Sequence, residues 1–125
     1  MTPSETVTAF CDAVSRSALD EAMVFIADDC AYHNIPMPLV EGAAGVRATL
    51  AGFIQLLGSL RIETLRQIAV GEWVMNERLD HFDPPGGTPY ALPVAGSFRV
   101  QDGRITVWND YFDVRQFSVG TGINL

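Results

Sequence analysis

The first apolar positions of the chain repeat at the spacing of an amphipathic helix. They are Val7, Phe10, Cys11 and Val14. The preceding segment T-P-S-E contains a residue that can cap a helix, a proline suited to its first position and a glutamate three residues after the cap. The pattern therefore predicts a first helix, with Thr2 as its cap, Pro3 at its first position and Glu5 completing a capping box.

Two more helices are predicted before the middle of the chain. Ser17 is the expected cap of the second helix, with acidic residues in its first turn. The expected buried side of this helix is Leu19, Met23 and Ile26. The third helix is expected from Gly42 to Leu57, and its apolar stripe is Val46, Leu50, Phe53 and Leu57. Between these helices, residues 30–35 are a strand candidate. Residues 36–42 are predicted as a loop because two prolines exclude a helix there.

From residue 59 onward the pattern changes to the alternation of β-strands. Strands are expected at 59–70, 72–82, 90–100 and 104–114, and in the first of them Leu60, Ile62 and Thr64 would face inward. The segment D-P-P-G-G-T-P predicts a long loop, and Asp102-Gly103 predicts the two-residue turn of a β-hairpin. The order α-α-β-α-β-β-β-β indicates an α+β fold. We expect a curved, mostly antiparallel mixed sheet with helices on its concave face, which together form a cone-shaped pocket.

Composition and charge exclude several classes of protein. The 125 residues fit a single domain (1–125), and a content of 48% hydrophobic and 18% charged residues is typical of a folded chain. The formal charge of −7 argues against binding to nucleic acid or to an anionic membrane surface. We expect neither a signal peptide nor a membrane span, because the first residues have no basic and apolar regions and no apolar run approaches about 20 residues. Cys11 and Cys30 lack a metal-binding spacing, which predicts buried thiols in a reducing cytoplasm.

Polar side chains interrupt the inward faces of three predicted strands. In N-E-R-L-D-H-F (76–82), Arg78 and Asp80 point to the same face. Asp110 lies between two inward aromatic residues, and Tyr32 and Asn34 share a face of the first strand. One interpretation is a network in which the arginine only satisfies two buried carboxylates. The other is a chemical site, because these polar groups exceed what such a network needs and could hold a water molecule.

Such a site could perform acid–base chemistry. Burial and the repulsion between two carboxylates raise the pKa of one of them, whereas the arginine favours the ionised form of the other. Asp110 could then deprotonate a water held with Tyr32 and Asn34, and Asp80 could protonate a leaving oxygen. This is hydrolysis without a metal and without a covalent intermediate.

Three segments in this order resemble the limonene-1,2-epoxide hydrolase family: Y-H-N-I-P-M-P, E-R-L-D and I-T-V-W-N-D-Y-F-D-V-R. The resemblance implies a fold like that of nuclear transport factor 2 and ketosteroid isomerase, and a homodimer. It also implies that Asp110, Tyr32 and Asn34 hold the attacking water with Asp110 as the base, that Asp80 is the acid, and that Arg78 hydrogen-bonds both aspartates. Direct attack of water on a small hydrophobic epoxide, terpene-like or cyclic, would give a vicinal diol. Neither a metal nor an organic cofactor is implied.

The wall of the pocket is expected to bind the substrate. Its predicted residues are Met37, Leu50, Ile54, Leu92, Val94, Trp108, Phe112 and Phe117. His33 and His81 fall on the opposite face of their strands, and two histidines are too few for an ordinary zinc site. Two rival functions remain on the same fold: an isomerase or cyclase of the ketosteroid-isomerase or polyketide-cyclase type, and a non-catalytic module for hydrophobic ligands. Arg78 beside Asp80 favours acid–base chemistry over the first rival, and Asp110 between two aromatic residues disfavours the second.

Overall fold

The computed structural model describes residues 1–35 and 37–125. In chain order, the helices and strands are α1 (Pro3–Ser15), α2 (Leu19–Met23), β1 (Ile26–Ile35), β2 (Val40–Glu41), α3 (Ala43–Leu57), β3 (Arg61–Val70), β4 (Trp73–Phe82), β5 (Tyr90–Gln101), β6 (Arg104–Tyr111) and α4 (Val114–Thr121).

The strands form one six-stranded mixed sheet in the order β2-β1-β6-β5-β4-β3. Strands β1 and β6 are parallel, and the other neighbouring strands are antiparallel. The sheet is curled, and α1 packs against β3 and β5, α3 against β1 and α4 against β5. The core fills the space between the sheet and these helices. The predicted α+β fold class is confirmed.

Helix α1 begins with the predicted capping box. The Glu5 backbone N–H donates to Thr2 Oγ1 at 3.1 Å, and the Thr2 N–H donates to Glu5 Oε1 at 2.8 Å. These two bonds satisfy backbone donors that have no partner within the helix. The predicted apolar face, which includes Val7 and Phe10, is fully buried in the core.

The region between α1 and α3 differs from the sequence prediction in three places. Ser17 is not a helix cap, because α2 begins one residue later, after Ala18, and has no side-chain capping bond. Ile26 is the first residue of β1 instead of a helical residue, so the strand is longer than the predicted 30–35. Residues 40–41 form β2 inside the predicted loop by pairing with β1; Pro36 lies outside the described residues.

The C-terminal part of the chain contains a helix that the sequence pattern did not predict. Strand β6 ends at Tyr111 and not at residue 114. The Asp113 side chain then accepts a hydrogen bond from the Gln116 N–H at 3.0 Å and caps α4. This eight-residue helix buries only Phe117 and Thr121. Two apolar-facing positions are too few for a helical period to be recognised.

Strand β3 has a β-bulge that changes which side chains face the helices. Leu60 and Ile62 are buried or half-buried as predicted, but Thr64 is exposed on this edge strand. The register with β4 shifts between Thr64 and Arg66, so that Gln67 pairs with Asn76. An extra residue in one strand reverses the parity of every later position. The Gln67 side chain therefore turns toward α1.

The hairpin turn and the buried thiols predicted from the sequence are confirmed. Asp102 and Gly103 have φ values of 51° and 75° and form the predicted turn between β5 and β6. Cys11 and Cys30 are both buried free thiols. Within residues 1–35 and 37–125, no helix combines the length and hydrophobicity needed to cross a bilayer.

Candidate active site

One row of aligned residues crosses five strands of the sheet on its concave face. Asn34 on β1 pairs with Asp110 on β6, and Asp110 pairs with Gly96 on β5. Gly96 pairs in turn with Asn76 on β4, which pairs with Gln67 on β3. We call these five residues the polar row. It gathers residues that are far apart in the sequence into one line under the helices.

Arg78 lies beside this row and is 1% exposed. Its Nε and Nη2 donate to the two oxygens of Asp80 at 3.1 and 3.0 Å, and its Nη1 and Nη2 donate to the two oxygens of Asp110 at 2.9 and 2.8 Å. The remaining Nη1 hydrogen faces Asn76 Oδ1 at 3.3 Å. All five N–H groups of the guanidinium therefore have an acceptor. Removing one carboxylate from such a buried pair typically costs about 3–5 kcal/mol.

For both Arg78 and Asp80, burial shifts the pKa in one direction and the oppositely charged partner shifts it in the other. Burial alone would lower the pKa of Arg78, but Asp110 and Asp80 outweigh it and hold this pKa well above its usual value. Burial raises the pKa of Asp80; Arg78 opposes this shift, the charge of Asp110 adds to it, and the net pKa is raised. Arg78 is consequently a permanent cation, and Asp80 keeps its proton to a higher pH than an ordinary aspartate.

Asp110 has one position left for a further hydrogen-bond donor. Trp108 Nε1 donates to Asp110 Oδ1 at 2.8 Å, so this oxygen accepts two hydrogen bonds when that from Arg78 is included. Oδ2 accepts one, from Arg78. Because a carboxylate oxygen can accept two hydrogen bonds, Oδ2 can take one more.

Tyr32 and Asn34 lie next to Asp110 on the neighbouring strand. The Tyr32 ring stacks on Trp108 with 3.9 Å between ring centroids and 13° between planes. Asn34 Nδ2 donates to Tyr32 Oη at 2.7 Å. Burial raises the pKa of Tyr32 well above its usual value, so the side chain remains a phenol. Since Tyr32 Oη is the acceptor of the Asn34 bond, its own proton is left to donate to another group.

Gly96 allows Arg78 on β4 to reach Asp110 on β6 across the strand between them. A Cβ atom at this position would lie 2.4 Å from Arg78 Nη1, 2.7 Å from Asn76 Oδ1 and 3.0 Å from Asp110 Oδ1. Only glycine leaves room for the bridge. Gly96 and Asn76 share the parity of the site residues within the predicted strands 90–100 and 72–82, but the sequence pattern alone singled out neither as part of the site.

The site opens into a cavity of about 500 Å³, part of which is open to solvent. Its polar end is formed by Tyr32, Asn34, Asp80 and Asp110. Its apolar wall consists of Phe53, Leu57, Leu60, Ile62, Phe82, Leu92, Val94, Trp108, Phe112, Phe117 and Leu125. Arg78 is not part of the lining; its side chain is completely buried against both aspartates.

Five of the eight predicted wall residues line the cavity: Leu92, Val94, Trp108, Phe112 and Phe117. Met37, Leu50 and Ile54 are not among the described residues of the lining, and their contact with the substrate stays a prediction. Leu50 is fully buried in the core, one to two turns of α3 before the cavity-lining Phe53 and Leu57. Ile54 packs against the same core.

The two histidines lie away from the cavity. His81 is hydrogen-bonded to Glu63 at 2.8 Å across β4 and β3, and His33 does not line the cavity. In the part of the chain that the structure describes, no three or more His, Cys, Asp or Glu side chains come together in a way that could hold a metal ion.

Comparisons with known proteins place the chain in a family. Residues 1–121 match the family model of the limonene-1,2-epoxide hydrolase catalytic domain. The chain belongs to the limonene-1,2-epoxide hydrolase family. It is 34% identical over 108 residues to the epoxide hydrolase EphG of Mycobacterium tuberculosis, covering 86% of this chain and 71% of EphG. The family and this relative together identify the chain as an epoxide hydrolase.

Solved structures agree with the family assignment. An LEH-like epoxide hydrolase of M. tuberculosis superposes with a TM-score of 0.81 at 29% identity, over 90% of this chain and 84% of that one. A Catenulispora acidiphila protein with a ketosteroid isomerase-like fold has a TM-score of 0.87 at 21% identity, over 95% of this chain and 93% of that one. An NTF2-like protein of Burkholderia pseudomallei has a TM-score of 0.88 at 18% identity, over 98% and 100% of the two chains. The last two show the fold alone.

Proposed function

We propose that this epoxide hydrolase adds water directly to a small hydrophobic epoxide, terpene-like or cyclic, in one step of general acid–base catalysis. The observation that carries the proposal is the guanidinium of Arg78. It binds Asp80 and Asp110 together at the polar end of an otherwise apolar cavity. Two carboxyl groups with different environments are what a paired acid and base require.

Asp110 is the proposed base. Its Oδ2 has an unused acceptor position, and both Asp110 and its neighbours Tyr32 and Asn34 line the cavity. A water donating to Oδ2 could also accept the free proton of the Tyr32 phenol. Such contacts would orient one lone pair of the water toward the epoxide carbon.

Asp80 is the proposed acid. Its raised pKa keeps a proton available, and it lines the cavity on the side of β4, opposite Tyr32 and Asn34. As the water oxygen bonds to carbon, the carbon–oxygen bond of the epoxide breaks and Asp80 protonates the leaving oxygen. Asp110 takes a proton from the attacking water, and Arg78 stays charged throughout. The product is a vicinal diol. Proton exchange with solvent then restores both carboxyl groups.

The apolar wall supports the choice of substrate. Aromatic and aliphatic side chains from α3, β4, β5 and α4 cover the cavity beyond its polar end. A compact hydrocarbon epoxide would bury its carbon skeleton there and leave only its oxygen to the acid. An isomerase or cyclase of the same fold is disfavoured, because a guanidinium bound to both carboxylates suits a split of acid and base better than the formation of an enolate.

The proposal predicts diol formation from a panel of terpene, cycloalkene and styrene oxides. Excess enzyme in ¹⁸O-water should give a diol with one labelled oxygen in the first turnover, since water attacks the epoxide itself. Mass spectrometry of the diol measures the label. An unlabelled first-turnover diol would mean that the oxygen came from an enzyme carboxylate through a covalent ester. Absence of any diol across the panel would reject the proposed substrate class.

We also propose that the protein is a homodimer, as the family resemblance implies. Apolar side chains at the end of the β3–β4 hairpin are exposed, among them Ile68, Val70, Trp73 and Met75. Exposed apolar clusters of this kind are common where proteins associate. Light scattering should give twice the chain mass of 13.6 kDa. A mass equal to one chain at micromolar concentration would contradict the proposal.

A further inference from the structure

The hydrogen bonds at the active site continue past Arg78 into a part of the polar row that does not line the cavity. Asn76 is buried, and its Oδ1 accepts from Arg78 Nη1 at 3.3 Å. Its Nδ2 donates to Gln67 Oε1 at 3.1 Å. Neither amide touches the cavity, so any effect on the reaction must pass through Arg78.

Gln67 connects this chain of hydrogen bonds to the first turns of α1. Its Nε2 lies 3.0 Å from the Ser4 carbonyl oxygen, 2.8 Å from Ser4 Oγ and 3.1 Å from Thr8 Oγ1. The bulge in β3 is what turns Gln67 inward, because it shifts the register of the strand just before this residue. The guanidinium is thus linked through two amide side chains to a helix that starts at a capping box.

The two ends of this chain fix the orientation of both amides. Arg78 can only donate, so Asn76 must turn its oxygen toward the guanidinium and its Nδ2 toward Gln67. The Ser4 carbonyl can only accept, so Gln67 must turn its Nε2 toward α1 and its oxygen toward Asn76. The two requirements agree, and flipping either amide would place two donors or two acceptors face to face.

We propose that Asn76, held by Gln67, is a positioning residue that fixes the rotation of the Arg78 guanidinium against Asp80 and Asp110. A guanidinium held on three sides cannot turn within its plane. Both carboxyl groups are fixed in relation to each other through it, and misplacing groups of a reacting set by about 1 Å can cost roughly 100-fold in rate. As an effect on catalysis, the inference rests on the proposed function.

The test replaces the amide by an apolar side chain of similar size. Asn76→Leu removes the acceptor for Nη1, and we expect kcat for diol formation to fall roughly 10- to 100-fold with little change in KM. Asn76→Asp keeps an acceptor for Arg78 but sets its second carboxylate oxygen against Gln67 Oε1, so it should recover only part of this loss. It should also move the alkaline limb of kcat/KM to higher pH, because an added carboxylate next to Arg78 makes ionisation of Asp80 harder. Gln67→Leu should show a smaller fall in kcat, since Asn76 stays in place but is no longer held.

A readout independent of turnover separates this inference from the proposed reaction. Arg78 is the fully buried arginine, so its guanidinium N–H protons should exchange slowly in ¹⁵N NMR spectra of the wild-type protein. In Asn76→Leu we expect exchange at least about tenfold faster, because the guanidinium gains freedom to rotate. If the wild-type protein forms no diol but Arg78 exchange still responds, the proposed reaction fails and the positioning role stands.

Thr6→Val is the matched control. Thr6 is a buried polar residue of α1 whose Oγ1 donates to the Thr2 carbonyl oxygen at 3.1 Å, and it has no bond to the chain from Arg78 to Ser4. We expect it to lose a similar amount of stability while leaving kcat, the pH profile and Arg78 exchange unchanged. Equal behaviour of Asn76→Leu and Thr6→Val in all of these would overturn the proposal. If Asn76→Leu does not fold, Asn76→Asp and Gln67→Leu decide by the same readouts.

Discussion

Asp110→Asn is expected to lower kcat for diol formation by roughly 10³- to 10⁴-fold, the upper range for loss of a general base. The amide cannot take the proton of the attacking water. It also presents an N–H₂ group where the carboxylate presented an oxygen, and both oxygens of Asp110 face donors from Arg78 or Trp108. The amide must therefore place one donor against another. The measurement is the rate of diol formation with the best epoxide of the panel, together with thermal unfolding by circular dichroism.

Asp113→Asn makes the same chemical change three residues further along, outside the cavity. Asp113 is the exposed cap of α4, and asparagine is an equally good capping residue. We expect wild-type kcat and stability in this variant. A folded Asp110→Asn protein with turnover close to that of Asp113→Asn would show that Asp110 is not the base.

Asp80→Asn is expected to lower kcat roughly 10²- to 10³-fold, because the amide cannot protonate the leaving oxygen. In the wild-type protein, kcat/KM should fall as the pH rises through the raised pKa of Asp80, where the acid loses its proton. The residual activity of Asp80→Asn should lack this alkaline limb. The pH profile of kcat/KM for both proteins measures the difference.

The free energy of unfolding should also depend on the protonation of Asp80, with a pH dependence opposite to that usual for an aspartate. The pKa of Asp80 is raised on folding from its ordinary value of 3.8, so the folded state binds the proton more tightly than the unfolded state. The stabilisation from this proton is complete below the ordinary pKa and is lost as the pH rises through the raised one. The free energy of unfolding of the wild type relative to Asp80→Asn should therefore decrease across that interval. Asp83→Asn, at an exposed position of the same segment, is the control, and an alkaline limb that persists in Asp80→Asn would contradict the role of Asp80 as the acid.

The inward face of β4 could be predicted from the sequence because this strand is regular and paired on both sides. From Val74 to Phe82 every second residue is buried, as the alternation indicates. The same reasoning placed Tyr32, Asn34 and Asp110 on the concave side, and all three line the cavity with Asp80. A period of two survives wherever a strand has no bulge and helices cover one of its faces.

The order of the strands could not be predicted from local patterns. Alternation indicates which face a side chain occupies but not which strand lies next to it, and β5 separates Arg78 from Asp110. The inward turn of Gln67 depends on a bulge that has no clear sequence signal. Helix α4 was overlooked because its eight residues carry too little periodicity.

The hydrogen bonds from Arg78 to Asp110, which cross over β5, divide this strand into two parts that tolerate substitution differently. Leu92 and Val94 present side chains to the cavity, whereas Gly96, two residues further along, must present only a hydrogen atom to Arg78. Redesign of the substrate range can therefore replace Leu92 and Val94 by other apolar residues. It cannot replace Gly96, because any side chain there would displace Arg78. Evolution within this fold would face the same restriction, so new specificities should accumulate along the apolar wall while the middle of β5 stays unchanged.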